Sequence, residues 1–88
     1  MMYQLAWNPE AWEEYVDWQQ EDRKTLKRIN SLIKDIMRNG PSVGIGKPEP
    51  LRYRPAWSRH IDDANRLIYY IENDDLIILS CKGHYEDK

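Results

Sequence analysis

Phenylalanine is absent from this chain, and cysteine occurs once, at Cys81. A single thiol excludes an intramolecular disulfide, and without a Cys-x-x-Cys pair there is no zinc-ribbon framework, so a reducing cytoplasm is the expected home. No run approaches the roughly 18 apolar residues of a membrane-spanning helix. The opening Met-Met-Tyr-Gln-Leu-Ala-Trp lacks the basic stretch and long apolar stretch of a secretory signal, and none is expected. There is no Walker loop, no His-Glu-x-x-His helix and no Gly-x-Ser-x-Gly elbow, which excludes the sequence-local forms of nucleotide, zinc-protease and serine-hydrolase chemistry. No His, Cys, Asp and Glu cluster has ligand spacing, so neither a metal nor a cofactor is expected.

What is present is a short, charged, aromatic chain. Its 88 residues fit one domain, residues 1–88, with a single small core burying about 60–65% of the unfolded surface. Hydrophobic residues make up 41%, with four Trp and six Tyr whose polar handles require partners or water. The net charge of −2 hides an asymmetry. Residues 1–20 hold four acids and no Lys or Arg, whereas residues 21–66 hold 11 Lys and Arg against six acids. The middle of the chain therefore carries the positive field that a polyanion requires.

Residues 3–7 read as a first strand. Asn8-Pro9 then opens a helix, with Asn8 as N-cap, Pro9 at the first helical position, and Trp7 and Trp12 spaced as a hydrophobic staple. Trp12, Tyr15, Val16 and Gln19 are the expected inner face of that helix. Asp22 is a candidate N-cap for a second helix, in which Leu26, Ile29, Ile33, Ile36 and Met37 recur at helical spacing until Asn39-Gly40-Pro41 stops it. From residue 42 the pattern changes to strands, expected at 51–53, 57–61, 66–71 and 76–82, with turns at 62–65 and 73–75. The order β-α-α-β-β-β-β predicts an α+β fold: an antiparallel sheet with an N-terminal helical hairpin packed on one face.

One carboxylate stands apart. Glu49 lies between Pro48 and Pro50 in Gly46-Lys47-Pro48-Glu49-Pro50-Leu51. Pro48 fixes its own φ, and Pro50 pushes Glu49 toward extended backbone, so the acid is aimed by the main chain. This run alone fits a rigid loop with a solvated Glu better than a catalytic base. His84, in Gly83-His84-Tyr85, follows the last strand as an acid–base group beside an aromatic platform. Arg66 opens a strand, and Arg52, Arg54 and Arg59 lie on neighbouring strands or loops; each is also a reasonable solvated strand cation. Taken together, a base, an acid and cations are what RNA cleavage without a metal requires: one group takes the 2′-OH proton, one protonates the leaving 5′-oxygen, and cations hold the phosphorane.

These stretches resemble the YoeB family, RelE-superfamily toxins of bacterial toxin–antitoxin systems. The resemblance rests on Trp12 to Trp18-Gln19, Lys27-Arg28-Ile29-Asn30, the Gly-Lys-Pro-Glu-Pro-Leu run ending at Leu51, Trp57-Ser58-Arg59, Asn65-Arg66-Leu67-Ile68-Tyr69 and His84-Tyr85. It implies a RelE/YoeB-like microbial RNase-type fold and ribosome-dependent cleavage of mRNA in the A site, leaving a 2′,3′-cyclic phosphate. It further implies Glu49 as general base, His84 as general acid, and Arg66 and Tyr85 as transition-state contacts. Arg52, Arg59 and His60 would bind the substrate. The expected partners are a YefM-like antitoxin protein, the ribosome, and by analogy a second copy of the chain in a homodimer. Lys24, Lys27, Arg28 and Lys34 on the second helix form the candidate surface for ribosomal RNA.

Three features depart from the family pattern: His60, the short loop Tyr53-Arg54-Pro55-Ala56, and Glu86-Asp87-Lys88 beyond the Tyr that ends relatives. Relatives carry Trp-Ser-Arg-Arg where this chain reads Trp57-Ser58-Arg59-His60, so a permanent cation is replaced by a group that titrates near neutrality. The alternative reading on the same fold is an attenuated or non-enzymatic homologue acting by binding to ribosome, gyrase or antitoxin.

Overall fold

Residues 3–83 are described by the computed structural model of the chain. Strand β1 (Gln4–Trp7) leads into helix α1 (Pro9–Glu21), and helix α2 (Arg23–Asn39) follows. Strands β2 (Glu49–Pro50), β3 (Trp57–His60), β4 (Arg66–Glu72) and β5 (Asp75–Ser80) complete the described chain. Asn8 caps α1 with an extended backbone, and its side chain accepts from the Glu10 N–H. The staple forms: the Trp7 and Trp12 rings meet edge to face at 5.8 Å, and Tyr15 packs on Trp7 at 4.7 Å.

A single residue joins the helices. Asp22 is at once the C-cap of α1 and the N-cap of α2, at φ −160° and ψ 100°. Its N–H donates to the Trp18 carbonyl, while its carboxylate accepts from the Lys24 and Thr25 N–H groups and the Thr25 hydroxyl. This double duty explains why the hairpin needs no longer linker.

The buried stripe of α2 is Thr25, Ile29, Leu32, Ile33 and Ile36, with Leu26 and Met37 only partly covered at its margin. In α1 the inner face differs from the expected one. Ala11 and Trp18 are buried, Tyr15 packs at the core edge, and Trp12 stays 48% exposed. Positions 11, 15 and 18 form the i, i+4, i+7 stripe; the run from Trp12 lies one residue further round the helix.

The strands form one sheet in the order β1-β5-β4-β3-β2. Strands β2 to β5 pair antiparallel, as expected, whereas β1 pairs parallel with β5. A parallel neighbour needs a long crossover, and the helical hairpin and three strands lie between these two. The core gathers Ala11, Trp18, Ile29, Leu32 and Ile36 from the helices and Leu67, Tyr69, Leu76 and Ile78 from the sheet.

Residues 51–53 are not a strand. The strand lies two residues earlier, at Glu49–Pro50, and the following segment turns back on itself through Leu51 N–H to Ala56 carbonyl at 2.8 Å. Pro50 can occupy β2 because β2 is the sheet edge, where a missing donor breaks no central ladder.

Helix α1 is bolted to the end of β5 by polar contacts. The buried Trp18 Nε1 donates to the Cys81 carbonyl at 2.9 Å, and the Glu14 carboxylate accepts from the Cys81 N–H at 2.7 Å. Trp18→Phe keeps an aromatic ring but removes the indole N–H and part of the buried volume and strands that carbonyl, so the urea midpoint should fall by the equivalent of at least about 1–2 kcal/mol. An unchanged midpoint would remove the bond from the account.

Candidate active site

The site is built around three consecutive residues of β3. Ser58 pairs with Glu49 of β2, His60 pairs with Arg66 of β4, and Ser58 also pairs with Ile68. Alternation along strands places Glu49, Ser58, His60, Ile68 and Arg66 on one sheet face, while Arg59, Leu67 and Tyr69 point to the other. With strands about 4.8 Å apart, Glu49 stands roughly 10 Å from β4 across the sheet, and Arg66 lies about 7 Å further along that strand. Glu49 is exposed; His60 and Arg66 are half-buried. The face carries an exposed carboxylate at one side and nitrogen-bearing groups at the other, with the buried Ile68 between them.

Arg59 corrects the expectation of a substrate-binding cation. It is fully buried on the helix side of the sheet. Its Nε donates to the Tyr69 hydroxyl at 2.9 Å. One terminal nitrogen donates to Asp35 Oδ2 and the Ile45 carbonyl, the other to the Gly40 and Val43 carbonyls at 3.1 and 2.8 Å. Five N–H donors is the whole capacity of a guanidinium, and all are committed within the protein. The group cannot reach a phosphate on the opposite face.

Its partners are the loop between α2 and β2. Tyr69 adds a hydroxyl bond to the Pro41 carbonyl at 2.6 Å, and Asp35 accepts from the Ile45 N–H at 3.1 Å and from Asn39 Nδ2 at 2.9 Å. At the loop's end the Gly46 carbonyl accepts from the His60 N–H at 2.7 Å. Gly46 has φ +82°, and a Cβ there would come within 2.7 Å of Leu32 Cδ2 and 3.3 Å of the His60 carbonyl oxygen. Lys47 follows at φ 53°, so two left-handed residues turn the chain before Pro48 delivers Glu49 to β2.

Arg66 is held on the other side of the site. Its Nη1 donates to the Asp62 and Asn65 carbonyls, and its N–H donates to the Gly83 carbonyl at 3.0 Å. Asn65 Oδ1 accepts from the Gly83 N–H at 2.7 Å, and Asp62 Oδ1 ties the turn through the Ala64 and Asn65 N–H groups. Gly83, the last described residue, is thus fastened beside Arg66. His84 and Tyr85, the expected acid and aromatic contact, lie outside the described residues.

Arg52 is exposed in the turn after β2, its guanidinium 5.9 Å from the Tyr53 ring centre. Of the helix cations, Lys24, Lys27 and Lys34 are exposed, whereas Arg28 is half-buried and donates to the His60 carbonyl at 3.1 Å. A groove of about 780 Å³ opens elsewhere, between β1 and the helices, lined by Trp7, Tyr15, Ile33 and Met37 with Lys34 and Arg38 also on its wall. Neither Glu49 nor Arg66 lines it. Cys81 is no nucleophile: burial, with the Glu14 charge, pushes its thiol up to about 12.

Sequence reasoning missed Asp35, Tyr69, Asp62 and Asn65. Strand alternation was the available signal for Arg59, since it places that residue in phase with Leu67 and Tyr69 rather than with Glu49.

A family model of YoeB-like toxins of bacterial type II toxin–antitoxin systems matches residues 7–85. This chain belongs to the YoeB toxin family. Toxin YoeB of Escherichia coli strain K12 is 45% identical over 83 residues, which span 92% of this chain and 98% of that protein. Toxin YoeB of Synechocystis is 49% identical over 84 residues, 93% and 96% of the two chains. The Staphylococcus aureus YoeB dimer superposes with a TM-score of 0.90 at 41% identity, covering 97% of this chain and all of that one. A Staphylococcus aureus YoeB–YefM complex gives a TM-score of 0.87 at 40% identity, with 97% and 100% coverage. The chain is therefore a type II toxin of the YoeB family, with the α+β architecture of its relatives. Among the described residues no helix is long and apolar enough to cross a membrane.

The Asp35 carboxyl has a definite acid signature. Burial pushes it up, but hydrogen bonds from Arg59, the Ile45 N–H and Asn39, with the guanidinium charge, outweigh that and hold it below the usual 3.8. A depressed carboxyl stabilises the fold fully above its unfolded value and loses that contribution as pH falls through its folded value. Urea midpoints measured between about pH 2 and 4 should therefore fall less steeply in Asp35→Asn than in the parent. Asp22 and Asp62, both also lowered by hydrogen bonds, contribute to the slope that remains.

Proposed function

We propose that this YoeB-family toxin is a ribosome-dependent endoribonuclease that cleaves mRNA in the A site and so halts translation. The observation that carries this reading is Glu49: an exposed carboxylate on the sheet edge, sharing a face with Arg66 and held there by a fully anchored loop. Glu49 takes the proton from a 2′-hydroxyl, and the 2′-oxygen attacks the adjacent phosphorus. The bond from phosphorus to the 5′-oxygen breaks, His84 supplies a proton to that oxygen, and a 2′,3′-cyclic phosphate remains. Arg66 and Arg52 offset the charge that builds on the phosphorane, with Tyr85 as a further contact. His60, paired with Arg66 on the same face, contributes a pH-sensitive contact in place of a second arginine.

The reaction runs on acid–base and electrostatic catalysis by side chains alone. A base exposed at a sheet edge suits a polymeric substrate better than a small metabolite. The exposed Lys24, Lys27 and Lys34 form the docking surface for ribosomal RNA in the cytoplasm. Arg28 contributes less, being tied to the His60 carbonyl. A YefM-like antitoxin is the protein partner, and the chain forms a homodimer; known relatives supply the precedent for both.

Primer extension on mRNA after brief expression tests the reading. Glu49→Ala and His84→Ala should each lower cleavage by about a hundredfold or more. Cleavage undiminished in both variants would overturn these two roles, whereas growth inhibition that persists in both without cleavage would favour a toxin that acts by binding alone. Separately, Lys27→Ala with Lys34→Ala should weaken ribosome binding and flatten its dependence on salt.

A further inference from the structure

We propose that Arg59 and Asp35 are positioning residues for Glu49, setting the carboxylate from the opposite side of the sheet. This rests on the reading of Glu49 as the base. The segment that carries Glu49 is held by three adjacent residues of β3 in three different ways. Ser58 pairs with Glu49 itself through the ladder. The His60 N–H holds the Gly46 carbonyl. Between them, the buried Arg59 guanidinium holds the carbonyls of Gly40, Val43 and Ile45. Asp35 closes the arrangement from α2 by accepting from both Arg59 and the Ile45 N–H.

Every donor of Arg59 except Nε ends on this loop or on the acid that holds it. Nε goes to Tyr69, whose own hydroxyl bonds the loop at Pro41. Of that set only the Nε bond reaches a core residue, Tyr69. From Gly46 only Lys47 and Pro48 intervene before Glu49, and Pro48 has little rotational freedom. A displacement of the loop is therefore transmitted to the carboxylate. The loop also fits closely against its acid: a Cβ on Gly44, at φ +124°, would fall 1.8 Å from Asp35 Oδ2.

The role is separable from simple stability by a double-mutant cycle on purified toxin with programmed ribosomes. Asp35→Asn retains shape but weakens the hold on Arg59 and the Ile45 N–H. Gly44→Ala displaces Asp35 from the loop side at an exposed position, its Cβ also coming within 3.1 Å of Arg59 Nη1. It keeps the test available should Asp35→Asn not fold. Each folded variant should cut messenger ten- to a hundredfold more slowly in single turnover, about what a 1 Å misplacement costs, with ribosome affinity unchanged. The Ile45 amide should exchange its hydrogen faster in both. In a Glu49→Ala background neither change should slow cleavage further. A folded Asp35→Asn or Gly44→Ala that cuts at the parental rate would overturn the proposal, as would an equal loss of rate with Glu49 already absent. If Glu49→Ala alone cuts at the parental rate, the base reading itself fails, and that result is visible before any Asp35 variant is made.

Discussion

The guanidinium of Arg59 is the constraint on which the loop side of this structure depends. A charge with no exposed surface must be paired and hydrogen-bonded or it costs several kcal/mol. Here each of its five donors has an acceptor, and most of those acceptors are main-chain carbonyls of a loop with no regular structure. The loop and the charge satisfy each other: carbonyls that would be orphaned near the core meet donors that would be orphaned there too. Pairs of this kind add little net stability compared with a packed hydrophobic residue. An apolar side chain of the same volume would leave the Gly40, Val43 and Ile45 carbonyls without these donors, and the loop would be held only at Pro41, the Ile45 N–H and Gly46.

A second set of polar contacts does the corresponding work at the exit of β5. Trp18 and Glu14 of α1 seize the main chain at Cys81, and Asn65 with the Arg66 N–H seizes it at Gly83. Lys82, between them, pairs with Glu21 and lies over the Trp18 ring. The exit of β5 is thus fastened to both α1 and the turn before β4. The two arrangements share a logic: side chains from helices, strands and a turn hold irregular backbone that leads to the candidate site.

Much of the fold was legible because its signals are local. Asn8 and Asp22 are caps whose side chains bond N–H groups two or three residues away, and Gly40 stops α2 where expected. The α2 stripe follows the helical period, and the turn at 62–65 is tied by Asp62, whose carboxylate accepts from the Ala64 and Asn65 N–H groups. Less legible were the features set by distant partners. Trp12 looked like core because it is large and apolar; the stripe instead runs through the small Ala11, since the sheet approaches α1 from that side. The β2 strand was displaced from 51–53 to Glu49–Pro50, because its register is set by Ser58 and Trp57 across the ladder.

The sequence by itself determined the hairpin of helices, the succession of strands and the aimed carboxylate between two prolines, because caps, periodicity and proline geometry act over a few residues. It also carried the motifs by which the chain is recognisable as a YoeB-family toxin. Only the tertiary structure decided which arginine is which. Arg59 and Arg66 read alike as strand cations seven residues apart. Alternation about the β3–β4 pairing turns one into the core and leaves the other beside the face of Glu49. That choice depends on register across strands, a long-range quantity, and it makes Arg59 a support of the site and leaves Arg66 as a candidate member of it.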